Sequence, residues 1–542
     1  MGCTRTLTFG LVVAMAVLAL GVSTGMAAQL LAGAAKVDIT PKEPAYLAGY
    51  GINRLSEAVK EPLSARALVI KSGEKTLTVV GVDSLGVPGR IQKDIRGMVK
   101  SVPADSVMIA ATHDHSAPDI FGMWGPNPTT SGVNPAYLAL LKQGIVTAID
   151  QAAAAAKPAK LKLGSIQTKG INVNHRIAEI VDHELAAMQF VGDDGKVIAT
   201  LANFPCHAEI MQSKLLSGDF PYYYYAKIEK DQGGVAIFIN AALGGMITAD
   251  IPGGVYSLEH KDNSVWAQRI GEAVADATEQ ALAGASPIEN PELDYKFVDL
   301  ALPFKNERAL AAVRAGAMPN VLANDKLVTK VAAVALGPAQ IVTIPGEALP
   351  NLGFHLKRVM TGSPNFLFGL TMDELGYIMS GDDWGMEIYS YESKTGAGRE
   401  TGPLLMATLL PLIAEVKPAA AEAPAAAATA AAPAATAIPA QWFASLPAIF
   451  KADKAAGLNA VYAFKLSGDG GGDWTVTIAD QKCSVKQGAP DKADVTISSA
   501  ASDWMDIVTG KAQATTLYMT GKLSVDGDLS LAQRFTELFG VG

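Results

Sequence analysis

Residues Ala111–Asp119 read ATHDHSAPD and directly follow the apolar run SVMIA. Side chains alternate along an extended chain, so two imidazoles one residue apart at the end of a buried strand face one space together. Such a pair can ligate a divalent cation, form a proton-transfer dyad, or close a polar loop. Zinc favours imidazole nitrogen and carboxylate oxygen, and a catalytic zinc keeps one position for water. His113 is therefore a candidate ligand. His115 is a candidate ligand, substrate contact or proton carrier.

Three further stretches have the same layout, an apolar run that ends in a reactive side chain. ATLANFPCHAEIM ends at His207, with Cys206 beside it reading as a small buried residue. AQIVTIPGEALPNLG ends at Glu347, behind a Pro-Gly turn; a helix N-terminus would also favour a glutamate there. LFGLTMDELGYIMSGDDW carries Asp373, Glu374 and Tyr377 in a loop after a strand; the tyrosine can pack, ligate as a phenolate, or donate to an oxyanion. Reactive groups at four strand ends fit one mouth on a rigid scaffold.

The elements that would carry these ends alternate between strand and helix patterns. RALVIKSGEKTLTVVGVDS and KVAAVALGPAQIVTIPGE read as hairpins. AYLALLKQGIVTAIDQAAAAAK has helical spacing, and DNSVWAQRIGEAVADATEQALAG reads as a helix started by Asp262 or Asn263 and stopped by Gly284. The expected fold is a mixed, layered α/β domain. Residues 416–440, rich in Ala and Pro, cannot bury a core and read as a linker between a domain at 29–415 and a second unit at 441–542.

The first 28 residues contain Arg5, an apolar stretch from Leu7 to Val22 and small residues at Ala27 and Ala28, the layout of a signal peptide. The chain is expected to be exported, periplasmic or secreted from a bacterium. The cysteines are Cys3, Cys206 and Cys483; with one in the leader and the others in different units, no disulfide framework is expected. A net charge of −9 without a long basic tract argues against nucleic acid as a partner.

ATHDHSAP, NFPCHAEI, IPGEAL and DELGYI, together with the opening GAAKVDITP, resemble the neutral/alkaline, non-lysosomal ceramidase N-terminal family over most of residues 30–415. The resemblance implies that His113, His207, Glu347 and Tyr377 ligate Zn2+ and that His115 touches substrate or transition state. INVNHR resembles that family's pocket-lining segment, which implies Asn174 as a substrate contact and Arg176 as a substrate contact and catalytic group. NAALGGMITAD resembles a loop that carries a serine in neutral ceramidases; here the nearest hydroxyl is Thr248, which stands as the catalytic candidate.

TTLYMTGKLSVDGDLSLAQRF resembles the SCP2 sterol-carrier family, which implies a small α+β domain with an apolar tunnel for a sterol or acyl chain; Leu517, Met519, Phe535 and Leu538 belong to its core or line that tunnel. The combined expectation is an exported zinc amidohydrolase, ceramidase-like, acting on an amide or ester of a lipid-type substrate. A lipid or sterol would occupy the C-terminal unit, and the arrangement allows peripheral membrane contact. The alternatives are a non-catalytic lipid carrier and a metal hydrolase of a small non-lipid substrate.

Overall fold

The structure, a computed structural model, describes residue 2, residues 28–419 apart from 260, 304–306 and 315–318, and residues 439–539 apart from 456, 469–470, 509–513 and 520–521. The leader expected over 1–28 and most of the 416–440 linker lie outside the described residues. The chain divides into two compact units, Met1–Ala423 and Pro424–Gly542. No described helix is long and apolar enough to cross a membrane.

In the larger unit, β1 (Leu30–Asp38), β2 (Ser64–Ser72), β3 (Lys75–Val82), β4 (Val107–Ala111), β5 (Lys157–Gln167), β6 (Glu184–Gly192), β7 (Val197–Phe204) and β8 (Val235–Asn240) form one eight-stranded sheet in the order β8-β7-β6-β5-β1-β2-β3-β4. The outermost pairs, β3–β4 and β7–β8, are parallel and the others antiparallel. A second sheet runs β9 (Leu293–Pro303), β10 (Lys326–Leu336), β11 (Ala339–Thr343), β12 (Asn365–Phe368) in that order. The two expected hairpins are β2–β3 and β10–β11.

Period-2 alternation explains the layering. On β2, Ala65, Ala67 and Val69 pack on helices α1 (Gly89–Met98) and α2 (Pro135–Ala154), while Leu68 and Ile70 face the second sheet. Small residues let the helix sit close: a Cβ on Gly33 of β1 would lie 2.2 Å from the Ala152 carbonyl of α2. Further along the same face, α3 (Asp219–Gln232) and α4 (Ser264–Leu282) cover β6, β7 and β8 through Phe220, Tyr224, Ile270 and Val274. The far face of the second sheet is covered by α5 (Pro350–Val359) and α6 (Thr401–Glu415) through Leu352, Leu356, Leu405 and Leu409. The result is a helix–sheet–sheet–helix stack, the mixed layered fold that the sequence pattern implies.

The large sheet curls until its edge strand β8 packs against β2, β3 and β4 at the opposite end. Asn203, buried on β7, stitches the two sheets. Its amide donates to the carbonyls of Ile239 (3.0 Å), Asn240 (3.0 Å) and Leu367 (2.8 Å), and its oxygen accepts from the Leu367 N–H (2.9 Å).

In the C-terminal unit, a five-stranded sheet has the order β15-β14-β13-β16-β17, from β13 (Ala460–Ser467), β14 (Gly472–Ala479), β15 (Lys482–Gln487), β16 (Val495–Ala500) and β17 (Leu523–Gly527). Helices α7 (Pro439–Ile449), α8 (Ala501–Val508) and α9 (Leu529–Phe539) accompany it. Its core is aromatic: Phe443 stacks on Trp474 with centroids 4.6 Å apart, and Phe464 meets Phe443, Trp504 and Phe535. Leu517, Phe535 and Leu538 are buried in it, and the side chain of Met519 is outside the described residues. Cys206 and Cys483 are both free, one in each unit.

Replacing Asn203 by Ala strands several buried backbone groups at the junction of the two sheets, so we expect Asn203→Ala to destabilise the larger unit by about 3 kcal/mol. Denaturant unfolding of the full chain, followed by tryptophan fluorescence, checks it.

Candidate metal centre

Strand β4 ends at Ala111, and the chain then turns sharply, with His113 in the left-handed region at φ 62°. The two histidines share one space, as expected, but through this turn and not through strand alternation: their ring centroids are 4.9 Å apart. A non-glycine residue in this region is strained and persists only where its surroundings hold it. Here the Thr112, Asp114 and His115 amides donate to the carbonyls of Val82 (2.9 Å), Ser84 (3.0 Å) and Ala208 (2.9 Å).

His207 follows the end of β7. Its backbone N–H (2.9 Å) and its Nδ1 (2.8 Å) both bond the Ile247 carbonyl. His113 Nδ1 bonds the Leu85 carbonyl at 2.8 Å. A carbonyl only accepts, so each Nδ1 carries hydrogen and each neutral ring presents a lone pair at Nε2. Those two Nε2 atoms converge on one oxygen, Glu347 Oε2, at 3.4 Å for His113 and 3.2 Å for His207. Three such donors meeting in a buried space would suit a cation between them, and anchored Nδ1 with free Nε2 is how ligating histidines are held.

Glu347 and Tyr377 are brought side by side by a two-stranded parallel ribbon, Glu347–Ala348 with Tyr377–Ile378, in which they are direct partners. Burial opposes ionisation of Glu347, but positive charge at the facing His113 and His207 nitrogens outweighs it and holds its carboxyl far below the usual range; a bound cation would supply that charge with both rings neutral. The Tyr377 phenol is pushed well above its usual value, first by burial and then by the Glu347 charge, so a cation would be needed to draw off its proton.

His115 completes the ring cluster, 5.8 Å from His207 by centroid, and neither of its ring nitrogens has a hydrogen-bond partner. Burial first, then the fields of His113 and His207, hold it well below its ordinary value, so it is neutral. His113, His115 and His207 offer ligand nitrogens within 4.8 Å of one another. The donor set fits a divalent ion such as zinc.

A cavity of about 180 Å3 opens beside these groups, walled by Leu85, Phe121, Trp124 and Leu375 and reached by His113, His115, Glu347 and Tyr377. Asn174 and Arg176 do not line it. Asn174 spends its side chain inside its own loop, accepting from the Arg176 N–H (2.8 Å) and donating to the Ile180 carbonyl (2.6 Å). Arg176 Nε donates to the fully buried Glu392 (2.7 Å), which fixes the segment that carries the cavity residue Tyr391. Neither is among the residues that line this cavity, and only Arg176 is tied to a segment that does. Thr248 lies on the strand after the Ile247 carbonyl that anchors His207; its hydroxyl is buried without a partner and is not in the cavity wall.

Other residues matter that the sequence pattern did not single out. Asn240, at the end of β8, donates to the Thr112 carbonyl (2.7 Å) and accepts from the Cys206 N–H (3.1 Å), while its own carbonyl accepts from the Gly369 N–H (2.9 Å). The chain leading to each of three proposed ligands is thus tied to one residue. Gly244, four residues on, donates to the Ala348 carbonyl (2.8 Å), and a Cβ there would lie 2.3 Å from the Glu347 carbonyl oxygen. Tyr50 packs edge-on to His115 at 4.9 Å and donates to the Glu209 carbonyl, and Arg54 lies over the Tyr50 ring and reaches the His115 carbonyl at 3.3 Å. The glycine-flanked tyrosine in AGYGINR was the available signal. Glu374, noted only as a loop acid, lines the cavity; burial first and the Glu347 charge second push its carboxyl well above its usual value.

Residues 30–249 match the family model "Neutral/alkaline non-lysosomal ceramidase, N-terminal", and residues 444–540 match the SCP-2 sterol transfer family. The first match spans His113, His115, Asn174, Arg176, His207 and Thr248; Glu347 and Tyr377 lie beyond it. Among solved structures, neutral ceramidase from Pseudomonas aeruginosa superposes with a TM-score of 0.61 at 19% identity, covering 73% of this chain and 77% of that one. A ceramidase complexed with C2 gives 0.61 at 19%, over 74% and 77%. At that identity the likeness is one of fold. Hydroxysteroid dehydrogenase-like protein 2 from Mus musculus is 39% identical over 81 residues, 15% of this chain and 16% of its own length. Sterol carrier protein 2 from Bos taurus is 34% identical over 84 residues, 15% and 16%. The chain spans about a sixth of the length of these curated relatives.

Asn240→Ala frees the Thr112 carbonyl and Cys206 amide that position the two histidine segments. We expect it to weaken zinc binding by about tenfold or more, measured by competition with a chromogenic chelator, with thermal unfolding recorded alongside.

Proposed function

We propose that this chain, whose residues 30–249 match the neutral/alkaline ceramidase family and whose residues 444–540 match the sterol-transfer family, is a zinc-dependent hydrolase of an amide bond in a lipid-type substrate. The observation that carries the reading is the convergence of His113 Nε2 and His207 Nε2 on one carboxylate oxygen of Glu347, with each Nδ1 already spent on a backbone carbonyl. In this reading His113, His207, Glu347 and Tyr377 hold the ion. A zinc ion in such a site polarises a carbonyl and makes water acidic near neutral pH.

The remaining groups supply what the ion does not. His115, neutral and with both ring nitrogens uncommitted, can take a proton from the attacking water and pass it to the departing nitrogen. Tyr50 and Gly49 hold its ring: a Cβ on Gly49 would lie 2.6 Å from it. Leu85, Phe121 and Trp124 keep the cavity apolar, which strengthens electrostatic interactions inside it. Thr248, with its hydroxyl outside the cavity wall, supports His207 through its strand and is not assigned a chemical step. The sterol-transfer unit, which follows the hydrolase in the chain after an Ala- and Pro-rich stretch, would raise the local concentration of an acyl-bearing substrate. Export on the N-terminal leader completes the proposal.

Purified protein is expected to bind one zinc per chain, and N-acyl amide hydrolysis should vanish with a chelator and return with zinc. His113→Ala and His207→Ala should each lose stoichiometric zinc and lower kcat/KM by at least about a hundredfold. Metal analysis showing no zinc uptake, or turnover untouched by either substitution, would end the proposal.

A further inference from the structure

We infer that Glu374 is the recognition site for a protonated amine on the polar half of the substrate. The inference deepens the hydrolase reading and rests on it for the identity of the bond cleaved. Two carboxylates reach the cavity. Glu347 is engaged by His113 and His207. Glu374 is not: Oε1 accepts from the Gly376 N–H at 2.9 Å, and Oε2 is buried with no partner. The residue is 9% exposed and lines the cavity.

Its position is built and not incidental. The neighbouring Asp373 accepts from the N–H groups of Gly89 (2.7 Å) and Glu374 (2.8 Å), which fastens the loop to the start of α1. Gly86 makes room for the side chain: a Cβ there would lie 2.6 Å from Glu374 Cγ and 2.9 Å from Phe121 Cζ. The Glu374 stem and the Phe121 ring thus both pack against Gly86, and both residues line the cavity. Trp124, edge-on to Phe121 at 5.8 Å, and Tyr391 add aromatic surface to the same cavity. No Lys or Arg is among the described residues that line it.

An unpaired carboxyl in an apolar, aromatic space is costly unless a ligand completes it. An ammonium in the cavity would offset the burial and the Glu347 charge that oppose ionisation of Glu374, and would be recognised by a charge-assisted hydrogen bond to the carboxylate and by attraction to the aromatic rings of the lining. The substrate's acyl chain would leave past Met123 and Tyr391, which line the cavity yet are 48% and 50% exposed. The substrate class is thus a fatty amide whose amine half carries a second, charged nitrogen.

The test uses zinc-loaded full-length protein and two isosteric amides, N-hexanoyl-ethylenediamine and N-hexanoyl-ethanolamine, which differ by an ammonium for a hydroxyl. Calorimetric Kd and steady-state KM should both favour the ammonium compound by about tenfold or more, and Glu374→Gln should shrink that ratio below about threefold. Phe121→Leu should shrink it partially. Equal affinities in the wild type, or a preference that survives Glu374→Gln, would overturn the inference. If both amides are hydrolysed without preference, the cation site alone fails. If the ammonium compound binds preferentially through Glu374 but neither amide is cleaved, the hydrolase reading fails and the site stands.

Discussion

Asn240 is the point at which the large sheet closes on itself. Its amide nitrogen reaches the carbonyl before His113, its oxygen receives the amide before His207, and its carbonyl receives the amide of Gly369 on the way to Tyr377. β8 and β4 are opposite edges of an eight-stranded sheet. A flat sheet would leave their ends far apart; the curl brings them together, and a single side chain with one donor and one acceptor is enough to bind both. Three of the four proposed ligands follow a segment tied to Asn240, and the fourth, Glu347, is paired with Tyr377.

The centre shows how a low-dielectric interior turns geometry into electrostatics. Burial raises the cost of every charge, so Glu347 can ionise only because the two imidazoles face it, and those rings face it because backbone carbonyls at Leu85 and Ile247 have fixed their other nitrogens. Glu374 stands in the same cavity without such partners and is pushed the opposite way. Two carboxylates in one cavity, with α5 and β12 between them in the chain, thus acquire different characters from their surroundings alone.

Glycine placement recurs at the points of closest approach. Gly244 passes against the backbone of Glu347, Gly49 against the His115 ring, and Gly86 against the Glu374 side chain. In each case a Cβ would come closer than 3 Å to a group of the centre, so the bareness of these residues belongs to the site as much as its ligands do.

The sequence determined the local facts by itself. Alternation on β2 and β3 and the turn between them specify a hairpin; helical spacing specifies α2; and apolar runs ending in His113, His207, Glu347 and Tyr377 mark strand ends with reactive groups. These are short-range signals, set by side-chain period and turn chemistry. The roles of Asn174, Arg176, Thr248, Asn240 and Glu374 were not of that kind. An asparagine that completes its own loop and one that ties three distant segments read alike in a chain, and an arginine reads as a pocket group until Glu392, 216 residues away, is seen to hold it. Which polar atom is spent and which is left free depends on partners remote in sequence, and only the closure of the sheets decides it.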